Sequence, residues 1–122
     1  MSLRILAVDD SLTMREMLRQ TLTEAGFHVV LAEDGLDALR CLADAKPDLI
    51  LTDLNMPNMD GFGLIDAVRN GDLHARVPIL VLTTESAATL KDRARAAGAT
   101  GWITKPFDEK SLVSTIRRVA AV

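Results

Sequence analysis

Five polar side chains in this chain stand directly after runs of mostly apolar residues. Asp9 and Asp10 follow Ile5-Leu6-Ala7-Val8, Asp53 closes Leu49-Ile50-Leu51-Thr52, Thr83 follows Ile79-Leu80-Val81-Leu82, and Lys105 follows Gly101-Trp102-Ile103-Thr104. If the runs are strands pointing the same way, these side chains gather at one rim. Three carboxylates about 5 Å apart would repel by ~3 kcal/mol per pair at an effective dielectric near 20, a penalty comparable in sum with the whole stability of a domain. Positive charge must then stand among them: Lys105 supplies one unit, and a divalent metal would supply the rest. Oxygen donors without a cysteine or histidine pair select a hard ion, and few carboxylates with room for water suit Mg²⁺ better than a calcium cage. Magnesium held in this way commonly binds a phosphoryl group. A carboxylate nucleophile, an ammonium and a metal are the parts that phosphoryl transfer needs. No G-x-x-x-x-G-K or G-x-G-x-x-G loop occurs, so the phosphoryl group is not expected to belong to a bound nucleotide.

The elements that must position these residues follow from periodicity. After the first run, Met14, Met17, Leu18, Thr21, Leu22 and Ala25 recur at helical spacing and stop at Gly26. Val29-Val30-Leu31-Ala32 is a second run, followed past Asp34-Gly35 by a helix marked by Leu36, Leu39, Leu42 and Ala43 that closes before Pro47. Asp34 itself reads as a turn residue. After Asp53, the loop Leu54 to Asp60 carries Pro57, and a helix with Phe62, Ile65 and Val68 inward runs to Asn70-Gly71. The fourth run leads to a helix rich in alanine (Ala87, Ala88, Ala94, Ala96 and Ala97), which buries little area and is expected to be the least firmly packed. Gly98 ends it. A weaker fifth strand, the turn Lys105-Pro106-Phe107 and a last helix from about Asp108 with Leu112, Val113, Ile116, Val119 and Ala120 complete the chain.

Five runs without polar alternation, each followed by a helix, predict an α/β fold: a doubly wound, five-stranded parallel sheet with five flanking helices in right-handed crossovers. Periodicity does not give strand order. The flavodoxin-like order 2-1-3-4-5 is one common arrangement, and it opens a crevice between strands 1 and 3 at their carboxyl ends.

Residues 1–122 fit one domain of ordinary size, with no linker or internal repeat. Apolar residues are 48% and charged residues 25% of the chain, and the net charge of -3 gives no footprint for nucleic acid or an anionic membrane. No apolar run approaches the ~20 residues of a membrane helix, and Met1-Ser2-Leu3-Arg4 opens without a signal peptide, so a cytoplasmic protein is expected. The lone Cys41 reads as a buried reduced thiol on a helix face. His28 and His74 have no ligand spacing, and Arg93, Arg95, Arg117 and Arg118 read as solvated helix faces.

The combination of Asp9-Asp10-Ser11, Asp53-Leu54-Asn55-Met56-Pro57 with Met59-Asp60-Gly61, Thr83-Thr84 and Lys105-Pro106-Phe107 resembles the receiver domain of two-component response regulators. Each motif alone is weak, but all four in order at strand ends are specific, and the match spans the whole chain. With no output domain expected, and with Ser11-Leu12-Thr13-Met14-Arg15 after the acidic pair, it most resembles the stand-alone chemotaxis regulators of the CheY type.

The resemblance implies that Asp53 accepts a phosphoryl group from a phosphohistidine on a histidine kinase and later hydrolyses it, as a phosphoacceptor rather than an enzyme. It implies Mg²⁺ bound by Asp10, Asp53 and the Asn55 backbone carbonyl, with Asp9 acting mainly through water. Lys105 would pair with the phosphoryl group, aimed by a cis peptide before Pro106. Thr83 would bond a phosphoryl oxygen while Trp102, in a place commonly held by Tyr or Phe, swings inward. Asn55 and Glu85 match positions that influence phosphoryl loss, which makes a short-lived phosphoryl state the expectation. The face of helix 4, strand 5 and helix 5, around Lys91, Trp102, Thr104 and Arg118, is the expected partner surface of a monomer, for a target such as the flagellar motor switch.

Other outputs within the family are a phosphorelay shuttle or a phosphate sink. Outside it, a flavodoxin-like binding protein would need a Ser/Thr/Gly loop where Asp9-Asp10 stands, and an aspartyl-phosphate phosphatase typically wants a second acid where Asn55 stands.

Overall fold

A strand with no polar residue on either face is stable only between two layers. The computed structural model describes residues 3–120, and it meets that requirement with one sheet and five helices. In chain order these are β1 Arg4–Val8, α1 Leu12–Glu24, β2 His28–Ala32, α2 Gly35–Ala45, β3 Leu49–Thr52, α3 Gly61–Arg69, β4 Ile79–Thr83, α4 Ala88–Ala97, β5 Gly101–Thr104 and α5 Glu109–Val119. The sheet order is β2-β1-β3-β4-β5 and every pairing is parallel, which is the expected flavodoxin-like arrangement. The reading of Met1-Ser2 as free of a leader lies outside the described residues.

Strand side chains alternate between two cores. Leu6, Val8, Ile50, Ile79 and Val81 pack with Ala38 and Leu42 of α2, Leu64, Ile65 and Val68 of α3, and Ala94 of α4. Ile5, Ala7, Leu49, Leu51, Leu80 and Leu82 face the other way, onto Leu18 and Leu22 of α1 and Leu112 and Ile116 of α5. β3 and β4 are buried at every position and β1 at all but Arg4. The edge strands β2 and β5 are partly exposed, as the sheet's own margins.

The helices differ from their sequence stripes at single positions. Leu36 and Ala43 of α2 face solvent, because the buried stripe is Ala38, Leu42 and Ala45, and at about 100° per residue Leu36 lies on the far side from Ala38. Met17 is 48% exposed on the flank of the Leu18, Thr21, Leu22 stripe. Phe62 is half-buried and roofed by the Arg93 guanidinium at 3.9 Å, and Arg117 stands over the Phe27 ring at 5.5 Å, so two of the four arginines rest on aromatic faces. Helix α4 buries Ala94 alone, as its alanine content predicts. Cys41 is half-buried rather than buried, and burial pushes its thiol up. His28 is exposed at the start of β2 and His74 is half-buried in the loop before β4. Among the described residues, no helix is long and apolar enough to cross a membrane.

Candidate functional site

The parallel sheet delivers each site residue by one further hydrogen bond beyond its strand. Asp9 N–H donates to the Ala32 carbonyl of β2, Asp53 N–H to the Val8 carbonyl of β1, and Lys105 N–H to the Thr83 carbonyl of β4. The residue after each strand is thereby held in line with the sheet at its carboxyl edge. Asp9 is 1% exposed, Asp53 9% and Thr83 0%, so the sheet's edge buries charge that sequence alone could assign to solvent.

The Lys105 Nζ donates to Asp9 Oδ2 at 2.7 Å and to Asp53 Oδ2 at 2.9 Å. The remaining oxygens are also occupied: Asp9 Oδ1 accepts from Ser11 N–H at 2.9 Å, and Asp53 Oδ1 from Leu54 N–H at 2.7 Å. Burial pushes the Lys105 ammonium down, but its hydrogen bonds to Asp9 and Asp53 and their negative charges more than reverse this and hold it above the ordinary lysine range. It is charged at neutral pH. A buried carboxylate pair bridged by one ammonium still leaves one net negative charge, and Asp10 adds a second from the exposed side.

Carboxylate oxygens of Asp9, Asp10 and Asp53 all lie within 4.8 Å of one another. This all-oxygen set, net negative even after Lys105 is counted and open to water at Asp10, fits a hard divalent cation that keeps part of its water shell. No cysteine or histidine stands in the cluster, so its donors are the hard oxygens that suit Mg²⁺, Ca²⁺ or Mn²⁺.

The other expected residues fall around this centre in two groups. Asn55 Nδ2 donates to Glu85 Oε1 at 3.3 Å, so the side chains following β3 and β4 meet each other. The Thr83 hydroxyl accepts a long bond from Glu85 N–H, 3.4 Å, and the Trp102 indole N–H donates to the Glu85 carbonyl at 3.2 Å. Thr83, Glu85 and Trp102 therefore form one bonded chain from β4 to β5. Trp102 is half-buried against the α3/α4 core, short of a fully inward position. It lines a cavity of about 110 Å³ with Lys91, but Thr104 and Arg118 are exposed and do not line it. The Lys105–Pro106 peptide is cis, as the resemblance implies.

Three features were not expected. Arg15 donates to the Asp9 carbonyl at 2.7 Å and holds the β1–α1 turn, while Gly61 opens α3 so close that a Cβ there would collide with the Asp53 carbonyl. Asp34 is not a plain turn residue: it is buried, caps α2, and accepts from Asn58. The signal for that cap was present, since an aspartate before a helical stripe is a strong N-cap.

A parallel sheet of this order, with two buried aspartates, an exposed aspartate, a threonine and a lysine at its carboxyl edge, defines a receiver-type fold. The chain belongs to the response regulator receiver domain family, whose model matches residues 5–117. Protein PilG of Pseudomonas aeruginosa is 31% identical over 115 residues, which are 94% of this chain and 85% of that protein. The chain spans half the length of the response regulator MprA of Mycobacterium ulcerans, with 39% identity. Among solved structures, the chemotaxis protein CheY4 of Vibrio cholerae is 44% identical with a TM-score of 0.93, covering 98% of this chain and 99% of that one. The receiver domain of the sensor histidine kinase PA1611 of P. aeruginosa, described with a magnesium ion coordinated in the active site cleft, is 27% identical with a TM-score of 0.90, covering all of both chains. The protein is a CheY-like receiver of two-component signalling.

Crowding of negative charge sets one expectation. Asp10 makes no hydrogen bond or ion pair among the described residues, so Asp10→Asn removes repulsion without breaking a contact. In metal-free buffer it should raise the unfolding free energy by about 1 kcal/mol, the interaction of unit charges near 4 Å in water. If the cluster binds Mg²⁺ through Asp10, the order should reverse in saturating Mg²⁺, because the parent would gain more from the ion. Urea midpoints with and without Mg²⁺ check this, and a destabilised metal-free variant would contradict it.

Proposed function

We propose that Asp53 is the phosphoacceptor, receiving its phosphoryl group from a phosphohistidine of a histidine kinase in the cytoplasm. The observation that carries this reading is the Lys105 ammonium shared between Asp9 and Asp53, with Asp10 beside them. In the transfer, an Asp53 carboxylate oxygen bonds to phosphorus as the phosphorus–nitrogen bond breaks, and the imidazole leaves with the electron pair. In the return step, water attacks phosphorus, and Asp53 is regenerated with inorganic phosphate released.

Mg²⁺ would be held by Asp10, Asp53 and the Asn55 backbone carbonyl, with Asp9 contributing through water. When bound, it supplies charge neutralisation at the phosphoryl oxygens. The chain's own residues do the rest. Lys105 exchanges a carboxylate oxygen for a phosphoryl oxygen, Thr83 turns its hydroxyl from Glu85 to the same group, and Asn55 and Glu85 orient the hydrolytic water.

Because Thr83, Glu85 and Trp102 are bonded in series, a Thr83 that leaves Glu85 for phosphate frees the tether on the indole. The Trp102 ring then moves inward and the face with Lys91, Thr104 and Arg118 changes shape. That face is the proposed docking surface for a phosphorylation-dependent target, of which the flagellar motor switch is one example. A shift of a few kcal/mol between two conformations is sufficient.

Beryllofluoride, a phosphoryl mimic, should change the emission of the sole tryptophan only after Mg²⁺ is added. Asp53→Asn should abolish that response, and an equal response in the variant would overturn the assignment. Asn55→Ala and Glu85→Ala should each slow loss of phosphate by roughly tenfold, less than removal of a proton-transfer group because they only orient water. Decay at the parent rate in both would refute a role in hydrolysis.

A further inference from the structure

The loop Leu54 to Asp60 joins β3 to α3 and carries Asn55, yet it belongs to neither sheet nor helix. Its two ends are tied locally: Gly61 N–H donates to the Leu54 carbonyl at 2.9 Å, and Asp60 caps α3 by accepting from Gly63 N–H at 2.8 Å. Its middle is fastened to a different part of the molecule, the start of α2. Asn58 Nδ2 donates to Asp34 Oδ2 at 2.8 Å, and Gly35 N–H donates to the Met59 carbonyl at 3.0 Å.

Asp34 is well suited to act as the anchor. It is 4% exposed, and its other oxygen caps α2 by accepting from Asp37 N–H at 2.8 Å, so its carboxylate cannot turn without breaking the helix start. The Asp37 N–H and the Asn58 amide hold its carboxyl below the usual range, which keeps it ionised. Gly35 lets the two segments touch, since a Cβ there would lie 2.7 Å from Met59 Cγ. Asn58 itself has φ of 67°, and Met59 N–H returns to the Pro57 carbonyl at 2.7 Å, a tight turn that asparagine tolerates better than most residues.

We propose that Asp34 and Asn58 are positioning residues for the divalent cation: their bond holds the loop in the conformation from which Asn55 offers its carbonyl. The inference rests on the magnesium reading given above. Neither side chain touches the ion. They act through the backbone between Asn55 and Asn58, so the affinity of the metal centre depends on the start of α2, an element beside the edge strand of the sheet.

The test uses Asn58→Gly, which removes the amide while leaving the backbone free to keep a positive φ, and the exchange Asp34→Asn with Asn58→Asp. In the exchange, residue 34 still caps α2 through its amide oxygen and donates its NH₂ to the new carboxylate, with the net charge unchanged. Mg²⁺ alone is titrated by calorimetry, and urea midpoints of the metal-free proteins are measured alongside. Asn58→Gly should bind Mg²⁺ about tenfold more weakly than the parent, the low end for loss of an outer-shell contact, and the exchange should recover most of that loss. A lower urea midpoint with Mg²⁺ affinity at the parent value would make the bond merely structural and overturn the inference, as would an exchange no better than Asn58→Gly. A parent protein that does not bind Mg²⁺ would instead remove the magnesium reading itself.

Discussion

One ammonium between two buried carboxylates is the contact on which the rest of the site depends. Asp9 and Asp53 come from β1 and β3, and neither could be buried as an anion without a partner of opposite charge. Lys105 reaches both from β5, two strands away from β3 across β4. The pairing is compensated but incomplete: one positive charge faces two negative ones, and Asp10 raises the imbalance. Such a centre is stable enough to fold and still short of one or two positive charges. On the proposed reading a divalent cation would fill that deficit, and a phosphoryl group would then bring the negative charge for which Lys105 could leave its carboxylates.

The sheet makes this possible because parallel strands all end on one side. The bonds from Asp9, Asp53 and Lys105 N–H groups to the neighbouring strands extend the ladder by one residue, so these side chains inherit the rigidity of the strands they follow, β1, β3 and β5. The less firmly packed parts lie further out. Trp102 sits on a partly exposed edge strand, and α4 buries a single alanine, so the region beside the cavity lined by Lys91 and Trp102 is the least constrained by packing. Thr83 at the end of β4 and Trp102 on the edge strand are joined through Glu85.

Much of this was legible from residue order alone. Unbroken apolar runs ending in Asp, Thr or Lys announce parallel strands with a polar rim, and the structure places Asp9, Asp53 and Lys105 in direct contact. What periodicity could not give was anything set by contacts between distant segments. Leu36 and Met17 are apolar yet outward because the buried stripe of each helix is fixed by where the sheet lies, and small residues such as Ala38 and Ala45 can serve as well as leucine. Asp34 looked like a turn because its second partner, Asn58, is 24 residues away. The Asn55 contact with Glu85 was likewise invisible, since two polar loop residues carry no pattern that says they meet. Strand order was a choice among known arrangements rather than a reading, and the sheet pairing supplies it.

The most direct test is to locate the phosphoryl group itself. The protein is incubated with a small acyl phosphate donor, with and without Mg²⁺, then reduced with borohydride, which converts an aspartyl phosphate to homoserine, and mapped by mass spectrometry. The account predicts homoserine at position 53 alone, and only when Mg²⁺ is present. Modification at Asp9 or Asp10, or labelling of Asp53 that is indifferent to the metal, would contradict it.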